Sequence, residues 1–133
     1  MSLHDESRIL IVDDVNTMRM QIKELLKAFG FQHLAMVSNG EEAKIELTKN
    51  PYDLILCDWH MEPCDGLELL RHVRKDPNFK AIAFVLITAE STKERVIEAI
   101  KSGVDDYLIK PLTRVQIETK VYSVLLKKRA ENP

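Results

Sequence analysis

Three aspartates, a threonine and a lysine are the side chains of this 133-residue chain whose types and placement could do chemistry. Asp13-Asp14, Asp58, Thr88 and Lys110 each follow directly on a short apolar run. Two carboxylates about 4 Å apart repel by roughly 4 kcal/mol at an effective dielectric near 20, so a cluster of them must take up a proton or hold a cation. Oxygen ligands in small number, with room for water, suit Mg²⁺, which commonly bridges carboxylates to phosphate oxygens. The ligand set thus anticipates a phosphoryl group. Lys110 would supply a point charge to that group and Thr88 a hydroxyl donor, because sites handle phosphoryl transfer mainly by positioning and charge. One aspartate could then be the acceptor, since a carboxylate nucleophile forming an acyl phosphate is established chemistry. Asp58 stands alone at its strand end and is the candidate acceptor, whereas Asp13 and Asp14 sit side by side and make a better cation clamp.

The apolar runs that carry these residues are Ile9–Val12, Leu54–Cys57, Ile82–Ile87 and Tyr107–Ile109, with Leu34–Val37 a fifth. Continuous apolar runs of this length suit parallel strands covered on both faces. In an open parallel sheet the carboxyl ends share one edge, and ligands bind in the crevice there. Between the runs lie segments of helical period. Asn16 is a candidate N-cap for a helix with Met18, Ile22, Leu25 and Phe29 on one face and Gly30 at its C-terminal cap. A weaker helix over 41–49 turns Ala43 and Leu47 inward, and Asp65-Gly66 opens a third with Leu67, Leu70 and Val73. Ser91-Thr92-Lys93-Glu94 reads as a capping box for a fourth helix that buries Val96, Ile97 and Ile100 and ends at Gly103. Thr113-Arg114-Val115-Gln116 opens the fifth, with Ile117, Val121, Val124 and Leu125 inward. The alternation β-α, five times over, predicts one α/β domain with a five-stranded parallel sheet and helices on both faces.

Composition leaves the partner open. The 19 basic and 21 acidic residues nearly cancel, so no positive field argues for direct nucleic-acid binding. No apolar stretch is long enough for membrane insertion and residues 1–7 are polar, which points to a cytoplasmic protein. Two cysteines in such a compartment are expected to stay thiols. Cys57, His60 and Cys64 could suggest zinc, but a fourth ligand is not evident and Cys57 should face the core, opposite Asp58.

Taken together, Ile11-Val12-Asp13-Asp14, Thr17-Met18-Arg19, Cys57-Asp58-Trp59, Asp65-Gly66-Leu67-Glu68-Leu69-Leu70, Thr88-Ala89-Glu90 and Tyr107-Leu108-Ile109-Lys110-Pro111 resemble the receiver domain of two-component response regulators, of CheY-like type. The likeness covers residues 8–128, leaving 1–7 as an N-terminal extension and 129–133 as a tail. An acid pair, an acceptor Asp, a Thr and a Lys-Pro in order at successive strand ends make a specific joint signal. The resemblance implies a flavodoxin-like (βα)5 fold of strand order 2-1-3-4-5. It further implies phosphorylation of Asp58 from a sensor histidine kinase or a histidine phosphotransfer protein. By the same resemblance Asp14, Asp58 and the backbone carbonyl of His60 hold Mg²⁺ directly, and Asp13 acts mainly through water. Thr88 bonds the phosphoryl oxygen, Lys110 pairs with it, Tyr107 turns inward as a switch, and the Lys110-Pro111 bond is cis. The implied output is a changed surface for a downstream protein target on the fourth helix, fifth strand and fifth helix. Such a protein is a phosphorylation switch and not an enzyme.

One departure stands out. Related receivers usually place Met-Pro from the third residue after the acceptor, whereas here Met61 is followed by Glu62 and then Pro63. Glu62 adds negative charge near the site mouth. An aspartate-nucleophile phosphohydrolase would want a second acid two residues after a first-strand nucleophile, and position 15 is Val15. A flavin mononucleotide carrier would not set Asp13-Asp14 against a ligand phosphate. The remaining alternatives share the fold: a receiver module from a larger regulator with a DNA-binding or enzymatic output, or a binding module that works without phosphorylation. On the last helix Val115, Glu118, Tyr122 and Leu126 form a second stripe, read either as a partner or dimer face or as edge packing.

Overall fold

The computed structural model describes residues 2–89 and 92–131. Its strands are β1 (Arg8–Val12), β2 (His33–Val37), β3 (Leu54–Asp58), β4 (Ala83–Thr88) and β5 (Asp106–Ile109). They form one parallel sheet in the order β2-β1-β3-β4-β5, which is the expected order. Its helices are α1 (Leu3–Glu6), α2 (Asn16–Ala28), α3 (Gly40–Lys49), α4 (Gly66–Lys75), α5 (Lys93–Lys101) and α6 (Arg114–Glu131). None of the described helices is long and apolar enough to cross a membrane.

Period-2 alternation along the strands divides the core into two halves. Ile9, Ile11, Leu54, Leu56, Val85 and Ile87 face α2 and α6, meeting Ile22, Leu26, Ile117 and Val121. Leu10, Val12, Ile55, Cys57, Phe84 and Leu86 face the other way, where Ala43, Leu47, Leu70, Val73 and Ala99 cover them. Every residue of β3 and β4 is buried, which explains why those runs carry no polar residue until their last position. Arg74 ties the lower ends of β4 and β5 together. Its guanidinium donates to the carbonyls of Gly103, Lys80 and Ile82 and pairs with Asp105 at 2.8 Å.

Several local expectations hold. Asp65 caps α4 by accepting from the Glu68 N–H, and Thr113 and Gln116 exchange both capping-box bonds at α6. Gly30 and Gly103 close α2 and α5 at φ of 103° and 96°, a left-handed conformation costly for residues with a Cβ. Lys110-Pro111 is cis, as is Glu62-Pro63.

Other expectations are corrected. Asn16 is not the cap of α2. Val15 holds that position without a side-chain cap, because the Asn16 amide oxygen instead accepts from the Arg19 guanidinium at 3.1 Å. α5 is capped by Thr92, whose hydroxyl accepts from the Arg95 N–H; Ser91 and Glu90 lie outside the described residues. α5 does not bury Ile97 and Ile100. They are 40% and 63% exposed, and Ala99 is the residue it buries. The reason is tertiary: the sheet stops at β5, and of α5 only Ala99 joins the buried cluster on that face, so Ile97 and Ile100 stay open.

The terminal segments also belong to the packing. Leu3 of α1 enters the core beside α6, and His4 packs between Phe31, tilted at 4.7 Å, and Tyr122, edge-on at 4.9 Å between ring centroids. Glu6 pairs with Arg129 at 2.8 Å, on a helix that runs through Lys128 to Glu131 without a break. Edge packing therefore accounts for Tyr122 in the second stripe of α6, while Val115, Glu118 and Leu126 stay exposed.

Candidate functional site

Parallel register brings the chemistry-bearing residues to one edge. Asp58 and Thr88 are the last residues of β3 and β4, and Asp13 and Lys110 each come one residue after a strand. The ladder persists past the strand ends. Trp59 N–H donates to the Ile87 carbonyl at 2.9 Å, and Lys110 N–H to the Thr88 carbonyl at 2.8 Å. Backbone bonds thus hold β3, β4 and β5 in fixed relative register where the side chains converge.

Asp13, Asp14 and Asp58 bring one carboxylate oxygen each to within 4.8 Å of one another. No other cluster of three such groups occurs among the described residues, so the Cys57, His60 and Cys64 grouping does not form a metal site. Cys57 faces the core, and its thiol donates to the Asp58 carbonyl. Both cysteines are free thiols.

The three acids are not equivalent. Asp13 and Asp58 are 1% and 4% exposed, while Asp14 is open to solvent. Burial pushes the Asp13 carboxyl above the usual carboxylate range. Its hydrogen bond from the Val15 N–H at 2.9 Å pulls it back, and the neighbouring acids push it up further. Asp58 is likewise raised, first by burial and also by Asp14, against the pull of Lys110 and His60. Lys110 Nζ sits 3.3 Å from Asp58 Oδ1. Asp13 Oδ2 is buried with no hydrogen-bond partner on the protein. A buried acceptor without a donor, beside two further carboxylates, is electrostatically incomplete without a cation or a proton. Hard oxygen donors and no thiolate or imidazole fit Mg²⁺.

Around the acids, Thr88 is fully buried at the end of β4 and Tyr107 is half-buried on β5. His60 is exposed at the mouth together with Glu62. Residues outside the expected set also shape the site. Arg19 donates to the Asp13 carbonyl at 2.6 Å and holds the β1–α2 turn. Trp59 is buried, with the Tyr107 ring edge-on at 6.2 Å and the Arg95 guanidinium over its face at 5.0 Å. Arg19 and Trp59 stood within the motifs, but nothing in their spacing announces these contacts. Arg95 offered no sequence signal beyond its place in a helix.

Comparison with known proteins agrees with this geometry. The sequence model of the response regulator receiver domain matches residues 9–122, and the chain belongs to that family. It is 37% identical over 119 residues to chemotaxis protein CheY-3 of Vibrio cholerae serotype O1, covering 90% of this chain and 92% of that protein. Among solved structures it is similar to the signal receiver domain of a signal transduction histidine kinase from Syntrophus aciditrophicus. The identity there is 32%, the TM-score 0.84, and 91% of each chain is covered. Its fold also matches the receiver domain of a sensor histidine kinase from Pseudomonas aeruginosa PAO1, which has a magnesium ion coordinated in its active-site cleft. That match has 24% identity and a TM-score of 0.81, covering 91% of this chain and 98% of that one.

Proposed function

We propose that this receiver is a phosphoacceptor switch that takes a phosphoryl group onto Asp58 from a phosphohistidine on a kinase or phosphotransfer protein. The observation that carries the reading is the pairing of a buried Asp58 with Lys110 at 3.3 Å, beside the unsatisfied carboxylate of Asp13. An Asp58 oxygen attacks phosphorus, the N–P bond of the donor breaks, and the imidazole leaves with the electron pair. Lys110 neutralises the phosphoryl oxygens and the Thr88 hydroxyl donates to one of them. Mg²⁺, held by Asp14, Asp58 and the His60 carbonyl with Asp13 through water, would offset the remaining negative charge. The orphaned Asp13 oxygen and the all-oxygen donor set support that assignment, as does the magnesium-bound cleft of the Pseudomonas receiver.

The output face proposed for a downstream target is that of α5, β5 and α6. Ile97, Ile100, Ile109 and Val115 are all partly or largely exposed there, an apolar surface with no use inside a lone domain. Tyr107, half-buried on β5, is the residue we assign to carry the change from Thr88 to that face. Glu62 at the mouth is proposed to tune Mg²⁺ affinity or phosphoryl lifetime, and both should change in Glu62→Pro. The reading makes the protein a switch with no substrate turned over for its own sake.

Intact mass after exposure to acetyl phosphate, with and without Mg²⁺, tests the acceptor. A Mg²⁺-dependent gain of one phosphoryl group, absent in Asp58→Asn, is expected. A gain that persists in Asp58→Asn would move the acceptor elsewhere, and the absence of both a gain and a stable beryllium fluoride complex would overturn the reading.

A further inference from the structure

Trp59 is a fixed plate between the site and the output face. It follows Asp58 directly and is 2% exposed. Its N–H donates to the Ile87 carbonyl at 2.9 Å, and its carbonyl accepts from the Gly66 N–H at 2.8 Å. These two bonds hold its main chain in place, and burial packs the indole on the core. Two elements rest on the indole. Tyr107 of β5 meets it edge-on with planes at 80°, and Arg95, in the first turn of α5, lies over its face with the guanidinium carbon 5.0 Å from the ring centroid.

We propose that Arg95 is a positioning residue that latches the first turn of α5 onto Trp59, holding the α5 face in its unphosphorylated arrangement. The inference rests on Asp58 being the phosphoacceptor. Arg95 also approaches Glu98 on its own helix at 3.8 Å, a well-exposed and weak pair. A guanidinium over an indole is a favourable, planar contact that an ammonium reproduces only in part. α5 is joined to β4 just beyond Thr88. A shift of Thr88 toward a phosphoryl group on Asp58 draws on the start of α5, while Trp59 stays anchored by its two backbone bonds. The stack therefore contributes to the resting state and is lost on activation. Weakening it raises the fraction of molecules already competent for the activated form, and apparent affinity for an activator rises in proportion.

Trp59 is the only tryptophan of the chain, so its emission reports on this contact directly. Beryllium fluoride is titrated at saturating Mg²⁺ into the full chain, for wild type, R95Q, R95K, E98Q and D58N, with urea midpoints recorded for each. R95Q should half-saturate at about two- to fivefold lower beryllium fluoride, the range a partly exposed cation–π contact supports. R95K should shift less and E98Q should follow wild type. A merely structural role predicts no tightening. An R95Q midpoint equal to or weaker than wild type overturns the latch and leaves the phosphoacceptor reading standing. If R95Q loses its fold, R95K carries the same comparison. A wild type as silent as D58N overturns both.

Discussion

Replacing Asp13 by asparagine should make the metal-free protein more stable, although it alters the candidate site. The three oxygens lie within 4.8 Å of one another, so at an effective dielectric near 20 each pair among Asp13, Asp14 and Asp58 repels by about 3.5 kcal/mol or more before screening. Lys110, 3.3 Å from Asp58, returns about 5 kcal/mol to that residue by the same arithmetic. Among the described residues no ion pair within 4.0 Å compensates Asp13, which Lys110 favours only from further off. Asp14 is exposed and its share is screened, so the gross repulsion is an upper bound. A second bound comes from proton uptake. A carboxylate of ordinary pKa can be protonated at pH 7 for about 4 kcal/mol, so the folded state never bears more than that. Asparagine keeps the oxygen that accepts from the Val15 N–H and places an amide donor where Asp13 Oδ2 lies unsatisfied, beside two carboxylates. We expect a gain of about 1–3 kcal/mol. Urea unfolding at pH 7 in a chelator measures it, and an unchanged slope assigns the shift to stability.

Two further arms separate this reasoning from a generic effect. The folded Asp13 and Asp58 carboxyls are raised above their unfolded values, so the folded state binds more protons between the two. Wild-type stability from these groups is fully present below the ordinary value near 3.8 and is lost as pH rises through the raised one. The advantage of Asp13→Asn should accordingly vanish on acidification toward 3.8. At the proposed site, added Mg²⁺ should stabilise wild type by mass action, by about 2.7 kcal/mol at one hundred times its dissociation constant, and narrow or reverse the difference. An Asp13→Asn protein no more stable than wild type in chelator at pH 7 would refute the electrostatic account.

A Cβ at Gly66 would meet the Asp58 carbonyl at 2.5 Å and Leu86 at 2.8 Å, so Gly66→Ala should cost about 3 kcal/mol or more in urea unfolding; a loss under 1 kcal/mol would mean that the β3–α4 junction yields. Arg74→Met removes the partner of Asp105 and three carbonyl contacts, leaving Lys128 at 3.4 Å, and should lower stability by about 3 kcal/mol. Stability within experimental error of wild type would show that Lys128 and the Phe84 N–H together suffice for Asp105. Cys57 is fully buried, and burial pushes its thiol well above the ordinary range, so it should resist a thiol reagent at neutral pH until urea unfolds the chain. Labelling of Cys57 in native protein, mapped by mass, would contradict its placement.

Four of the five strands were legible because each apolar run ends abruptly in an acid, a threonine or a lysine at the sheet's edge, and the fifth from its apolar run alone. Asp58 after Leu54–Cys57 and Thr88 after Ile82–Ile87 mark where the sheet meets its crevice, and parallel topology does the rest. Gly30, Gly103 and the Thr113–Gln116 box set helix ends through purely local geometry. Such features depend on neighbours within a few residues, and so they survive in a one-dimensional reading.

Other features depend on residues far apart in the chain. Asp13 and Asp14 are adjacent and chemically identical, yet one is buried with an unsatisfied oxygen and the other faces solvent, because β1 sits inside the sheet and its exit turn faces outward. Ile97 and Ile100 have the spacing of a buried stripe and are exposed, since β5 ends the sheet and part of α5 has nothing to cover. His4 reaches Tyr122 across 118 positions, and Arg95 reaches Trp59 across an intervening helix and strand. Periodicity says which side chains of a helix share a face. What that face meets is set by strand order and by where the sheet stops.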